Sequence, residues 1–176
     1  WDLETALSFV SAHGTWDSLD GRELRFFLRD ARAVSAGKQE GYRFWFGAKM
    51  LDQTIYYESG VPIEIEVLDG QISYYRRDVI SVETGGETYG FRPVQDPANV
   101  IARNYNHIYN VMTGNMLAVN EESAFEYVAQ AVEDIRMGLV RIANDDRLRP
   151  AWILATESGQ VFYFSLYEAT PIGMGK

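Results

Sequence analysis

The chain has 176 residues, 47% of them hydrophobic and 14% aromatic, and a formal net charge of -9. That composition supplies a substantial core and excludes a disordered tail; the acidity opposes nucleic-acid binding, which relies on Lys and Arg displacing counterions from phosphates. Cysteine is absent from the sequence, so disulfides, thiolate nucleophiles and cysteine-bound zinc are excluded.

The spacing predicts a first helix, with Asp2 capping the amides of Glu4 or Thr5, an apolar stripe of Leu3, Ala6, Leu7 and Val10, and a stop at Gly14. Residues 22–34 are ambiguous. Leu24, Phe26 and Leu28 alternate like a strand, whereas Leu24, Phe27, Leu28 and Ala31 suit a helix; the strand reading is slightly favoured.

Residues 42–82 read as a β-meander. Tyr42, Phe44 and Phe46 share one face, and residues 51–57 return as a second strand. Ile63, Ile65 and Val67 alternate with Glu64 and Glu66, so the isoleucines face the core and the carboxylates face solvent. Asp69-Gly70 is a two-residue hairpin signal that brings Ile72 to Tyr75 back as the next strand, continuing to Val82 before a Gly85-Gly86 turn.

Asp96-Pro97 predicts a helix start, with an acceptor at the cap and a proline whose missing amide costs nothing in the first turn. Its stripe is Ile101, Tyr105, Ile108 and Met112, and Thr113-Gly114-Asn115 ends it. A further helix over 121–135 carries Phe125, Val128, Val132 and Ile135 on one face, with Glu121 and Glu122 where the helix dipole favours anions. Strands follow over 139–143, 151–156 and 160–166, the last two joined at Ser158-Gly159. The expected organisation is α+β, two helix-plus-antiparallel-meander subdomains over 1–93 and 121–176, joined by a connecting helix and turn over 94–120.

The search for chemistry finds little. His13 and His107 are the two imidazoles; His13 reads as a helix-end residue and His107 as a partly buried, satisfied one. Glu64 and Glu66 read as a solvated strand face, and Asp145-Asp146 as a polar loop beside Arg147 and Arg149. The Asn144-Asp145-Asp146 stretch lacks the spacing and glycine of a calcium loop, and no phosphate-binding glycine motif occurs. No catalytic residue, metal site or cofactor is expected. Aromatic and arginine residues remain: Arg43, Trp45, Tyr56 or Tyr57, Tyr74 or Tyr75, and Arg76 alternate away from the apolar set, and Trp45, Tyr57, Tyr74 and Arg76 are the candidate partner-binding residues. This second face is either an exposed interaction surface or is covered by the chain's own helices. Trp152, after Arg149-Pro150-Ala151, is expected to anchor the second meander to its helix.

The run 42–46, the segment 61–67 and the hairpin 69–75 resemble the meander of the YycH and YycI regulatory proteins. Arg149-Pro150-Ala151-Trp152-Ile153-Leu154 and the aromatic strand after it resemble that family's Pro-Ala-Trp segment; after Tyr167, Glu168-Ala169-Thr170-Pro171-Ile172 departs from the family ending. The resemblance implies PepSY-like or cystatin-like modules in an extracytoplasmic, membrane-anchored, non-enzymatic regulator from a Gram-positive-type bacterium. Its implied partners are the WalK (YycG) sensor histidine kinase of cell-wall homeostasis and a paralogous regulatory protein. The chain starts at Trp1, not at a methionine, so an upstream anchor is expected. The competing expectations are a PepSY-type inhibitor or peptide-binding module, favoured by an open sheet edge, and a small enzyme with a pocket near His107.

Overall fold

The computed structural model describes residues 1–13, 24–78, 92–116, 120–143, 145 and 147–175. The expected helix stop at Gly14, the strand end at Val82 and the Gly85-Gly86 turn lie outside them. Of the described residues 49% are in strands and 27% in helices. The protein is therefore mostly β and is not a pair of helix-plus-meander subdomains. Two compact units divide the chain, Trp1–Thr84 and Gly85–Lys176.

The first unit contains α1 (Asp2–His13), β1 (Leu24–Ala36), β2 (Gln39–Met50), β3 (Gln53–Tyr57), β4 (Ile63–Leu68) and β5 (Gln71–Arg77). The ambiguous segment resolves as a strand: β1 pairs antiparallel along the whole of β2, from Leu24 opposite Met50 to Ala36 opposite Gln39. Strand β2 then organises everything around it. Its last residues pair with β3, while Gly41 to Phe46 pair with β4, so β4 returns to β2 and the simple meander is broken. The reversal after β2 places Leu51 and Asp52 at positive φ (50° and 61°), a conformation that non-glycine residues rarely adopt.

Asp69 and Gly70 both have positive φ (48° and 75°), as a tight hairpin requires, and β5 pairs antiparallel with β4. Helix α1 covers one face of this sheet. Ala6 and Val10 pack on Phe44, Phe46, Ile63, Ile65 and Val67, all buried as the alternation predicts. Tyr42 shares that face but is exposed, stacked against Phe44 at 6.1 Å.

The second unit contains α2 (Pro97–Thr113), α3 (Glu121–Ala131), β6 (Val132–Arg141), β7 (Leu148–Thr156), β8 (Val161–Ser165) and β9 (Pro171–Gly175). Asp96 caps α2 by accepting from the Ala98 amide at 2.8 Å, and Gly114 ends it in the left-handed conformation. This helix is no mere connector: Val100 and Ile108 are buried in one core with Val128, Trp152, Leu154, Phe162 and Phe164.

Helix α3 is shorter than its stripe suggests. At Val132 the backbone turns extended, and Val132 and Ile135 pair with Thr156 and Leu154 of β7 instead of continuing the helix. The freed Ala131 carbonyl is satisfied by the Glu157 amide at 3.0 Å. Strand pairing thus overrides a spacing that fits a helix equally well. Strands β6 to β9 are joined in order by antiparallel pairing.

Candidate functional site: an arginine and aromatic sheet face

Strand alternation sends every second residue of β2, β4 and β5 away from α1. Register lines them up across the sheet. Arg32, Arg43, Glu66 and Tyr74 occupy successive opposed positions on β1, β2, β4 and β5, and Trp45, Glu64 and Arg76 form the neighbouring row on β2, β4 and β5.

Arg43 is the hub. Its Nη2 and Nε donate to Glu66 Oε2 at 2.5 and 2.8 Å, and its Nη1 reaches Glu64 Oε1 at 3.5 Å. Its guanidinium also stands 5.5 Å from the centre of the Tyr74 ring. Arg32 repeats the motif one strand over: it pairs with Asp30 at 2.9 Å and lies 5.4 Å from the centre of the Trp45 ring. Each aromatic ring therefore carries an arginine over its face, the geometry in which the ring quadrupole attracts a cation. Farther along, the Phe27 ring occupies the space that a side chain at Gly47 would need, and Lys49 Nζ lies 5.4 Å from the ring centre.

Glu64 and Glu66 point to the expected face but are not solvated, their side chains being 14% and 13% exposed. The Ser73 hydroxyl donates to Glu66 Oε1 at 2.7 Å. That bond, followed by those from Arg43, holds the Glu66 carboxyl below the usual glutamate range, while the same partner raises the Arg43 pKa. A serine beside a carboxylate has the outline of a nucleophile and its base. The shift runs the wrong way for that chemistry, because a carboxylate stabilised in its charged form is a poorer proton acceptor.

Of the four candidate partner-binding residues, Trp45, Tyr74 and Arg76 lie on this face. Tyr57 does not join them: it is 7% exposed, on the same side of β3 as buried Ile55, and belongs to the core. Arg76 is exposed, with its guanidinium packed over Gly60. Arg32 is not among the sequence candidates, since alternation from Leu24, Phe26 and Leu28 would put it on their side; the bulge between Leu28 and Asp30 turns it to the face of Arg43.

The imidazoles lie elsewhere. Nδ1 of His13 bonds the Phe9 carbonyl at 2.9 Å and the ring stacks on Phe9. His107 is exposed, not partly buried as expected, with its ring edge against Phe162. Asp145 accepts from the Arg147 amide and from Arg149 Nε, so it is an ordered ion-pair residue and not a free loop carboxylate. Trp152 is 8% exposed and bonds the Gln95 carbonyl through Nε1 at 3.0 Å.

Among the described residues no group of three or more His, Asp or Glu converges as a metal ion would require, and no helix is long and apolar enough to cross a membrane. Comparisons with protein-family models, curated proteins and solved structures find no match for this chain.

Proposed function

We propose that this chain is a non-enzymatic interaction domain that engages a protein partner through the arginine and aromatic face of its first unit. The observation that carries the reading is the ladder of Arg32, Trp45, Arg43 and Tyr74 across three strands, with Arg76 beside it. These are the residue types enriched at interface hot spots, and Arg43 is held by its cross-strand bonds to Glu66, with Arg32 and Arg43 over the Trp45 and Tyr74 rings, which limits the side-chain freedom left to lose on binding.

The YycH/YycI resemblance supplies the partner class: the extracytoplasmic part of a sensor histidine kinase of cell-wall homeostasis, with a paralogous regulatory protein beside it. The domain would be held at the membrane by an upstream anchor. The mechanism is differential binding, which shifts the kinase toward whichever signalling state the domain prefers.

Calorimetric titration against the extracytoplasmic part of the kinase tests this reading. Trp45→Ala and Tyr74→Ala are each expected to weaken association by about 2 kcal/mol, or roughly thirtyfold. Unchanged affinity in both folded variants rejects the face. Loss of kinase regulation in a folded His107→Ala variant with binding intact overturns the non-enzymatic assignment.

One observation favours a second reading, a peptide-binding module. Among the described strands β5 pairs with β4 and with no other, leaving an edge of the kind that accepts an added strand. An extended peptide whose binding is abolished by a proline in β5 but survives Trp45→Ala would select it.

A further inference from the structure

Three arginines stand in the two rows of the sheet face, Arg32, Arg43 and Arg76. Two of them are engaged within the chain: Arg43 has Nε, Nη1 and Nη2 all on Glu64 or Glu66, and Arg32 holds Asp30 through Nε. Arg76 is different. It is exposed, and among the described residues no hydrogen bond or ion pair reaches its guanidinium. Glu64 stands opposite it on β4 but lies within reach of Arg43 instead. The charges of these rows cancel, three arginines against Asp30, Glu64 and Glu66, so net attraction does not single this place out. A set of unused donors does.

Arg76 is unbonded but not loose. Gly60, in the turn between β3 and β4, has φ of 76°, and a Cβ built on it would stand 2.2 Å from Arg76 Nη2, 3.1 Å from Cζ and 3.4 Å from Nη1. All three atoms belong to the guanidinium, which therefore lies against the Gly60 backbone in the space a side chain would fill. Glycine is required at 60 twice over, for its left-handed backbone and for this seat. Seating removes rotamer freedom from a long side chain before any partner arrives, which is what preorganisation contributes to binding.

The aromatic residues of the face make this seat consequential. Trp45 and Glu64 continue the row of Arg76 across β2 and β4, and Tyr74, 40% exposed, stands two residues from it on β5. A protein that covers Trp45 and Tyr74 also covers Arg76, and burying a guanidinium without an acceptor is costly. The partner has to bring that acceptor.

We propose that the partner of this face contributes a carboxylate that accepts from Arg76, and that Gly60 is the residue that positions the guanidinium for it. The inference rests on the reading of the face as an interaction surface and adds the group its partner must carry.

Calorimetric titration of the full chain against the extracytoplasmic part of the sensor kinase, at about 50 and about 300 mM NaCl, tests this beside Trp45→Ala and Tyr74→Ala. Arg76→Gln is expected to weaken association about tenfold and to flatten its salt dependence, and Arg76→Glu to weaken it further by setting two carboxylates against each other. Gly60→Ala should lower affinity in the wild-type background and change nothing in Arg76→Gln, the non-additivity of two residues that act through one contact. Circular dichroism confirms the fold of each variant. If the aromatic variants weaken binding and Arg76→Gln does not, the carboxylate contact is wrong and the face stands. Equal losses in Arg76→Gln and Arg76→Glu, with salt dependence unchanged, make the acceptor neutral and overturn the proposal. A Gly60→Ala loss that adds in full to that of Arg76→Gln removes Gly60 from the site. No association of the wild-type chain, or unchanged affinity in both aromatic variants, overturns the reading of the face and this inference with it.

Discussion

Asn104, buried in the middle of α2, donates its side-chain amide to the carbonyl of Ala169 at 2.7 Å and to that of Val100 at 2.8 Å. Ala169 is itself buried and holds positive φ (56°), so this bond fixes an unfavourable backbone turn against a helix distant in sequence. Asn104→Leu keeps the approximate size of the side chain but strands the Ala169 carbonyl. The expected loss is about 1–3 kcal/mol, the cost of a buried acceptor without a partner. Urea denaturation of the second unit measures it, and a loss below about 0.5 kcal/mol would show that the turn holds without Asn104.

What could be read from the sequence divides by range. Asp69-Gly70, Asp96-Pro97 and Gly114 declare turns and helix ends through local backbone rules, and the structure places all three as expected. The alternation of Ile63, Ile65 and Val67 fixed a buried face for the same reason. Pairing is not local. Nothing near Leu51 announces that β4 will skip β3 and return to β2, and nothing in Val132 and Ile135 says that β7 will capture them from the end of α3. The candidate face followed suit: Trp45, Tyr74 and Arg76 were visible by alternation, Arg32 required the register with Arg43, and Tyr57 was assigned the wrong side.

Trp152 joins two kinds of interaction in one side chain, burial in the core of the second unit and the Nε1–H bond to Gln95. Trp152→Ala should cost about 3–5 kcal/mol through lost apolar burial and the cavity left behind. Trp152→Phe keeps much of the packing and deletes the donor, so it should cost less, near 1 kcal/mol beyond the repacking. Chemical denaturation of the two variants separates the contributions. Equal losses would mean that the hydrogen bond, not the packing, is what Trp152 supplies.

At Gly41 the backbone of β4 leaves no room for a side chain on β2. A Cβ built there would lie 1.9 Å from the Val67 carbonyl oxygen, a backbone atom that cannot swing aside. Gly41→Ala is therefore expected to displace β4 and to cost about 1–3 kcal/mol, as overpacking does. Gly37→Ala offers a contrast of different origin: open space surrounds it, and its positive φ (65°) makes any loss one of backbone strain alone. If the Gly41 variant proved no less stable than wild type, the close pairing of these strands would be wrong.

Glu66 links the candidate face to pH. Its carboxyl is held below the ordinary value of 4.5 by the Ser73 hydroxyl and then by Arg43, so in the folded chain it keeps its charge to lower pH than in the unfolded one. A depressed folded pKa contributes stability that is fully present above the unfolded value and disappears as pH falls through the folded one. Glu66→Gln removes that titration. The variant should be less stable than wild type at pH 7, and the difference should shrink as pH drops below about 4.5, because the protonated wild type loses the same ion pair. Arg43 stays charged throughout and adds no step of its own, because its hydrogen bonds to Glu66 push its pKa up from a range already far above these pH values. Denaturation of the first unit at pH 7, 5 and 3 reads the effect directly. A stability difference that stayed constant across those values would show that Glu66 is not held in its charged form by Ser73 and Arg43, and would weaken the case that this face is prebuilt for a partner.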